Sequence, residues 1–293
     1  ARAYSAAKKI DQKTNIEQLF GVAISATLST NYEKKGSHRF HIAVQTRDFS
    51  QSISCILNKG QRTREEEEEL VTEFVIALIS DCCGFEFKYP EIKEDVEHIQ
   101  IPAQKGWADL MSEKIKFVTS SNQQPKLIFP GAFNPMHDGH IAMSELANKE
   151  LSEEVFFEIC IQNVDKPPLS YHQIKKTIDQ FTDSKNWVLT KAGKFSDKAK
   201  LFPNSTFIIG ADTLVRIFDE RFYASRREMM EEFEIFNANN NNFLVFGREY
   251  KNKFIELNDI QVPDSIKSRF RGFGENIFSC LLYTSDAADD HHR

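Results

Sequence analysis

Residues 129–140 read FPGAFNPMHDGH. The apolar run KLIFP (126–130) leads into this stretch, and DGHIAMSELANKEL (138–151), with helical character, follows it. The order is strand, glycine turn, helix. Gly131 lets the backbone turn tightly and leaves no side chain to block a ligand. Pro135 fixes the loop and disfavours helix at Asn134, which delays the helix start to Asp138 or Gly139. The free amides of that start form a ready anion site. His137 and His140 are three apart, so they share one face of the first turn. Two neutral-to-cationic donors beside a helix N-terminus suit a polyphosphate that gains charge as a bond breaks.

Competing readings of the stretch explain less. A lone histidine is usually structural, and a pair suggests zinc. However, H-x₂-H is not the helical HExxH spacing, and no third ligand follows at a telling distance, so no protein-held metal is expected. The phosphate-cradling GxxxxGK[ST] and the dinucleotide GxGxxG are both absent. A phosphate site at a strand–helix junction accounts for the glycine, the proline and both histidines together.

The flanking sequence has the organisation such a site needs. After 138–151 come strand-like EVFFEICIQ (154–162), helical SYHQIKKTIDQF (170–181) with Ser170 as cap, and the apolar runs WVLT (187–190), STFIIG (205–210) and NFLVFG (242–247). Repeated strand-then-helix order predicts an α/β fold with a doubly wound parallel sheet and ligands at the carboxyl ends of its strands. NANNNN (237–242) reads as a low-complexity loop insertion. Upstream, VTSSNQQPK (118–126) has linker composition, giving a first domain 1–118, a linker 119–126 and a second domain 127–279. In the first domain, FGVAISATLS (20–29) and HRFHIAVQT (38–46) are strand-like. Phe40, Ile42 and Val44 alternate there against His41, Ala43 and Gln45. TREEEEELVTEFVIALISDCCG (63–84) predicts a helix with a Thr63/Glu66 capping box and Leu70, Phe74 and Leu78 on one face. Its five consecutive glutamates read as a solvated helix start.

Composition sets outer bounds. The 293 residues allow two domains, and a formal charge of −6 argues against a general nucleic-acid binder. No apolar run reaches the ~18–20 residues a bilayer span needs, so no membrane partner is expected. Cys55, Cys82, Cys83, Cys160 and Cys280 are odd in number and scattered, and read as reduced thiols in a cytoplasmic (or nuclear) protein. ARAYSAAKKI (1–10) has no apolar signal core and no initiating Met, and reads as a truncated start. CLLYTSDAADDHHR (280–293) departs from the preceding pattern and reads as a non-native tail.

GAFNPMHDGH resembles the GxFxPxHxGH signature of the nucleotidylyltransferase superfamily. STFIIGADTLVRIFD (205–219) and FLVFGRE (243–249) resemble its later blocks, so the likeness spans about 125–279. The resemblance implies a Rossmann-like fold and transfer of a nucleotidyl group from a nucleoside triphosphate, with Mg²⁺ accompanying ATP. It implies ATP contacts at Gly131, Ala132, Phe133, His137, His140, Gly210, Asp212 and Arg248, with His140 and His137 catalytic. The proline and the first histidine favour the adenylyl enzymes of NAD synthesis, which transfer AMP to nicotinamide mononucleotide. NVDKPPL (163–169) is similar to their acceptor side and puts Lys166 near a phosphate. GVAISATLSTNYEKKGSHRFHIAVQT (21–46) is similar to the latter part of the CinA-type nicotinamide-nucleotide amidase fold, as a partial α/β domain. Its glycine-rich loop is replaced, so no amidase activity is expected. The two regions together look like a eukaryotic nicotinamide mononucleotide adenylyltransferase-like family. That superfamily closes its site with an ISSTxxR-type segment. PDSIKSRFR (263–271) lacks that order, and the expected position falls just after ENIFS (275–279), so the closing motif reads as lost. Alternatives are a cytidylyltransferase for an alcohol phosphate, a nucleotide-binding regulatory module without chemistry, and a structural domain with both histidines buried. A homo-oligomer stays open.

Overall fold

The computed structural model describes residues 1–274 except 33, 163–166, 182–184 and 251–252, and leaves the Lys105 side chain aside. Lys166, most of the NVDKPPL motif, Cys280, the 280–293 tail and the place of the expected closing segment lie outside the described residues. The chain divides into two units, Ala1–Lys114 with Pro167–Lys176, and Ile115–Lys166 with Thr177 onward.

The first unit contains α1 (Arg2–Ile10), β1 (Gly21–Thr27), β2 (His38–Gln45), β3 (Phe49–Leu57), α2 (Arg64–Cys82), β4 (Val96–Pro102) and α3 (Lys105–Met111). Its four strands form an antiparallel sheet in the order β1-β2-β3-β4. Helix α2 covers one face of that sheet. Phe40, Ile42 and Val44 meet Leu70, Phe74 and Leu78 in one buried cluster, with the Phe40 and Phe74 rings 5.1 Å apart. Gln45 departs from the expected alternation: it is buried, and its Oε1 accepts from Ser50 Oγ at 2.5 Å.

The helix starts as its residues predict. Thr63 Oγ1 accepts from Glu66 N–H, and Glu66 Oε2 accepts from Thr63 N–H at 2.7 Å. The acidic run is not wholly solvated, however. Glu67 is 0% exposed; its Oε1 lies 2.8 Å from His38 Nδ1, and its Oε2 accepts from Ser29 N–H at 2.6 Å. Position 67 shares a face with Val71, Phe74 and Leu78, so helical geometry turns this one glutamate inward. A buried carboxylate is tolerated because both oxygens are satisfied.

The second unit contains β5 (Phe117–Thr119), β6 (Leu127–Pro130), α4 (Asp138–Leu151), β7 (Val155–Cys160), α5 (Tyr171–Ile178, begun in the first unit), β8 (Asn186–Thr190), α6 (Phe195–Leu201), β9 (Thr206–Gly210), α7 (Ala211–Ile217), α8 (Arg226–Ala238), β10 (Asn242–Phe246), β11 (Arg248–Tyr250), β12 (Lys253–Ile255) and β13 (Phe270–Phe273). Seven strands make one sheet in the order β13-β10-β9-β6-β7-β8-β5. All its pairings are parallel except that of β5 with β8, an antiparallel edge. This is the expected Rossmann-like doubly wound sheet. From β6 the chain winds outward through β7 and β8, then returns to lay β9 and β10 on the other side. The switch point therefore falls between β6 and β9, where such sheets open a crevice at their carboxyl ends. The strands are buried on both faces, as apolar runs such as Leu127–Phe129 and Phe207–Ile209 require.

The asparagine run is a structural turn and not a loop insertion. Asn239 caps α8, Asn240 takes a left-handed φ of 52°, and Asn241 is 0% exposed. Asn241 Nδ2 lies 2.8 Å from Phe202 O and 3.0 Å from Ser205 Oγ. Asparagine tolerates the left-handed turn and supplies the buried donor that the turn needs. The described cysteines, Cys55, Cys82, Cys83 and Cys160, are free thiols, and no described helix is long and apolar enough to cross a membrane.

Asn241→Ala removes the donor shared by Phe202 O, Ser205 O and Ser205 Oγ and should cost about 2–3 kcal/mol in a urea titration. The exposed neighbour Asn242→Ala should stay within about 0.5 kcal/mol. Equal effects of the two would mean the run is interchangeable filler.

Candidate active site

β6 ends at Pro130, and Gly131 N–H still donates to Glu158 O of β7 at 3.0 Å. The chain then turns at Phe133, whose φ of 45° lies in the left-handed region. This conformation is paired with burial of the ring. Phe133 is 1% exposed, with its ring centroid 5.5 Å from Phe129, 5.3 Å from Phe157 and 5.1 Å from His140. A Cβ on Gly131 would stand 2.5 Å from the Phe133 ring. The room left by Gly131 is therefore taken by Phe133 and not held open for a ligand. Ala132 is exposed on the turn, and Phe133 can offer a ligand only its backbone. The Asn134–Pro135 peptide is cis.

His137 is the N-cap of α4, so the helix starts at Asp138 as the residues predict. Its backbone N–H donates to His140 Nδ1 at 3.3 Å. With Nδ1 accepting, neutral His140 carries its proton on Nε2, free to donate. The two rings stack with centroids 3.7 Å apart. Burial pushes the His140 imidazole down to about 4, reinforced by His137 and by Arg248. Burial and Arg248 also lower His137, against a smaller opposing effect of Asp138. The free pair is thus neutral at pH 7, the neutral end of the expected range, and an arriving anion would favour the cationic form. Both side chains are half-buried.

Next to β6 in the sheet, β9 ends at Gly210, the N-cap of α7. Asp212 folds back so closely that a Cβ on Gly210 would lie 2.4 Å from its Oδ1. That oxygen is buried without a hydrogen-bond partner, while Oδ2 sits 3.5 Å from Arg248 Nη1. Arg248 follows β10, so Gly131–His140, Gly210–Asp212 and Arg248 leave the carboxyl ends of three adjacent strands. Among the described residues no three His, Cys, Asp or Glu side chains are grouped to hold a metal ion.

Two features were not foreseen from the residues. A cavity of about 230 Å³ has Lys194, Phe195, Arg216, Phe222, Tyr223 and Glu232 in its lining, with Lys194 and Glu232 ion-paired. The basic and aromatic residues clustered just past Asp212 were the available signal. The second is Gln180, whose amide reaches the loop at Phe133 and Met136. No local pattern marks it: its Nε2 also reaches Thr177 O at 3.3 Å, but both loop partners lie more than forty residues away.

Gly131→Ala forces the Phe133 ring out of its place and should destabilise the second unit by about 1–3 kcal/mol; an unchanged unfolding midpoint would contradict that packing. His140 also leaves a pH signature. In the folded chain it stays neutral down to about 4, whereas an unfolded histidine protonates near 6.5. Between those values the unfolded chain binds the extra proton, so stability falls as pH drops through the window. His140→Gln should flatten that segment of the stability–pH curve.

Residues 128–262 match the cytidylyltransferase-like family. No curated protein sequence matches the chain. Among solved structures, one similar chain is the Plasmodium falciparum nicotinic acid mononucleotide adenylyltransferase complexed with NaAD. It is 18% identical over 50% of this chain and 72% of that one, at a TM-score of 0.31. The stretch that matches the cytidylyltransferase-like family thus carries the signature loop at the switch point of a doubly wound sheet.

Proposed function

We propose that the second unit transfers AMP from ATP to nicotinamide mononucleotide, giving NAD and pyrophosphate. The observation that carries this reading is the neutral, stacked pair His137–His140 at the N-terminus of α4, beside Arg248 at the switch point. The acceptor's phosphate oxygen attacks the α-phosphorus in line, the bond to the β-phosphate oxygen breaks, and pyrophosphate leaves. No side-chain nucleophile is needed, so the protein's work is positioning and charge stabilisation.

In this reading His140 Nε2–H donates to the α-phosphate, and His137 serves the β/γ side with Arg248. Charge accumulating on the phosphates raises both imidazoles from their depressed state, which strengthens their bonds as the transition state forms. The amides that open α4 face the departing pyrophosphate. Asp212 Oδ1, lacking a partner in the free chain, is assigned to the adenosine ribose. ATP enters as its Mg²⁺ complex, with the cation held by the phosphates. The aromatic cavity walled by Phe222, Tyr223 and Arg216, where Lys194 is paired with Glu232, is assigned to a planar acceptor, and Lys166 is a further candidate for the acceptor's phosphate.

The test follows pyrophosphate release from ATP and, separately, CTP. Acceptors are nicotinamide mononucleotide, nicotinic acid mononucleotide and choline phosphate. Release with ATP and nicotinamide mononucleotide, with NAD as product, supports the proposal. Release only with CTP and choline phosphate replaces it with alcohol-phosphate cytidylyl transfer, and ATP binding without release with any pair leaves a regulatory module. His140→Ala should lower turnover on the order of 10²–10³-fold, as loss of one transition-state donor does.

A further inference from the structure

The loop that carries the histidines is closed by a side chain from outside the motif. Gln180, just past α5, donates from Nε2 to Phe133 O at 2.8 Å, and its Oε1 accepts from Met136 N–H at 2.8 Å. A direct turn bond would join that carbonyl to that amide; here a primary amide stands between them. Only Asn and Gln present a donor and an acceptor side by side in one plane without charge. The neighbouring residue holds the amide in place. The Phe181 ring lies 5.9 Å from Phe133 and 5.1 Å from Phe157. A relay of bonds then runs from Gln180 to Met136, on to the adjoining His137 N–H, and from there to His140 Nδ1.

We propose that Gln180 is a positioning residue, whose amide sets the span of the 133–136 loop and thereby the presentation of His137 and His140 to the phosphates. It does not touch the reacting atoms. The consequence for turnover rests on the nucleotidyl-transfer reading, whereas the geometric claim does not. Met136 immediately precedes the N-cap residue of α4, so a loop that relaxes at 133–136 changes the direction in which the helix start and both imidazoles face. A misplacement of about 1 Å at such a site is enough to cost on the order of 10²-fold in rate.

The experiment uses the full chain with Gln180→Met and Gln180→Glu. Met keeps the approximate volume and removes both bonds to the loop, together with the longer one to Thr177 O. Glu keeps the shape but turns a carboxylate oxygen toward the Phe133 carbonyl. Imidazole ¹⁵N resonances of His137 and His140 are recorded together with thermal unfolding, kcat and KM. The expected result is that the resonances of both histidines move in both variants and the melting temperature changes by only a few degrees. The fall in kcat/KM should be about 10–100-fold and reside mainly in kcat. Should Gln180→Met fail to fold, Gln180→Glu carries the same comparison. Unmoved imidazole resonances in a folded variant overturn the proposal, as does a loss of turnover that only tracks unfolding. If the wild-type chain turns over no nucleotide pair, the functional reading fails alone, and the imidazole resonances still decide the role of Gln180.

Discussion

Phe133 must bury its ring beneath a loop whose other residues face outward, and the site follows from that constraint. The left-handed backbone at Phe133 sends the ring inward over Gly131, against Phe129 and Phe157. A side chain on Gly131 would occupy the same space, so glycine is required by the aromatic ring as much as by the turn. With the ring anchored, Ala132, Asn134 and Pro135 are left outside, and His137 is delivered to the start of α4. His140, packed at its edge against both Phe129 and Phe133, inherits its position from the same aromatic cluster.

That packing also accounts for the electrostatics. The apolar rings that hold His140 strip it of water, and desolvation is the largest cause of its depressed pKa. Arg248 adds a repulsive charge from the end of β10. The imidazoles are thus held neutral beside a guanidinium and a helix N-terminus. In the proposed reading a polyphosphate would find these donors already aimed, with little reorganisation left to perform. Asp212 supplies the opposite sign beside them, with one oxygen 3.5 Å from Arg248 and the other buried without a partner.

The first unit handles a buried charge differently. Glu67 is fully enclosed, yet each of its oxygens has a protein partner. Glu158 and Lys198 in the second unit follow the same rule, with the ammonium 2.8 Å from both carboxylate oxygens and 2.7 Å from Ala192 O. Asp212 Oδ1, by contrast, is buried without a hydrogen-bond partner, as are Asn241 Oδ1 and Gln51 Oε1 among the described residues; each such group calls for its own explanation.

Local chemistry alone determined the strand–helix alternation of the second unit, the α4 start to within one residue and the Thr63/Glu66 capping box, because each depends on residues close along the chain. The parallel sheet followed from that alternation, since short crossovers leave few other arrangements. The inward turn of Glu67 was legible in principle from its spacing to Val71 and Phe74, but a run of five glutamates masked it. Tertiary structure decided the rest. The strand order β10-β9-β6 sets Gly210 and Arg248 beside the histidines from seventy or more residues away. The depressed imidazoles, the buried Asn241 and the Gln180 clamp likewise depend on which distant groups share a space. Periodicity and capping report the neighbours a residue meets along the chain; hydrogen-bond partners and desolvation are set by neighbours across it, and those exist only once the sheet has closed.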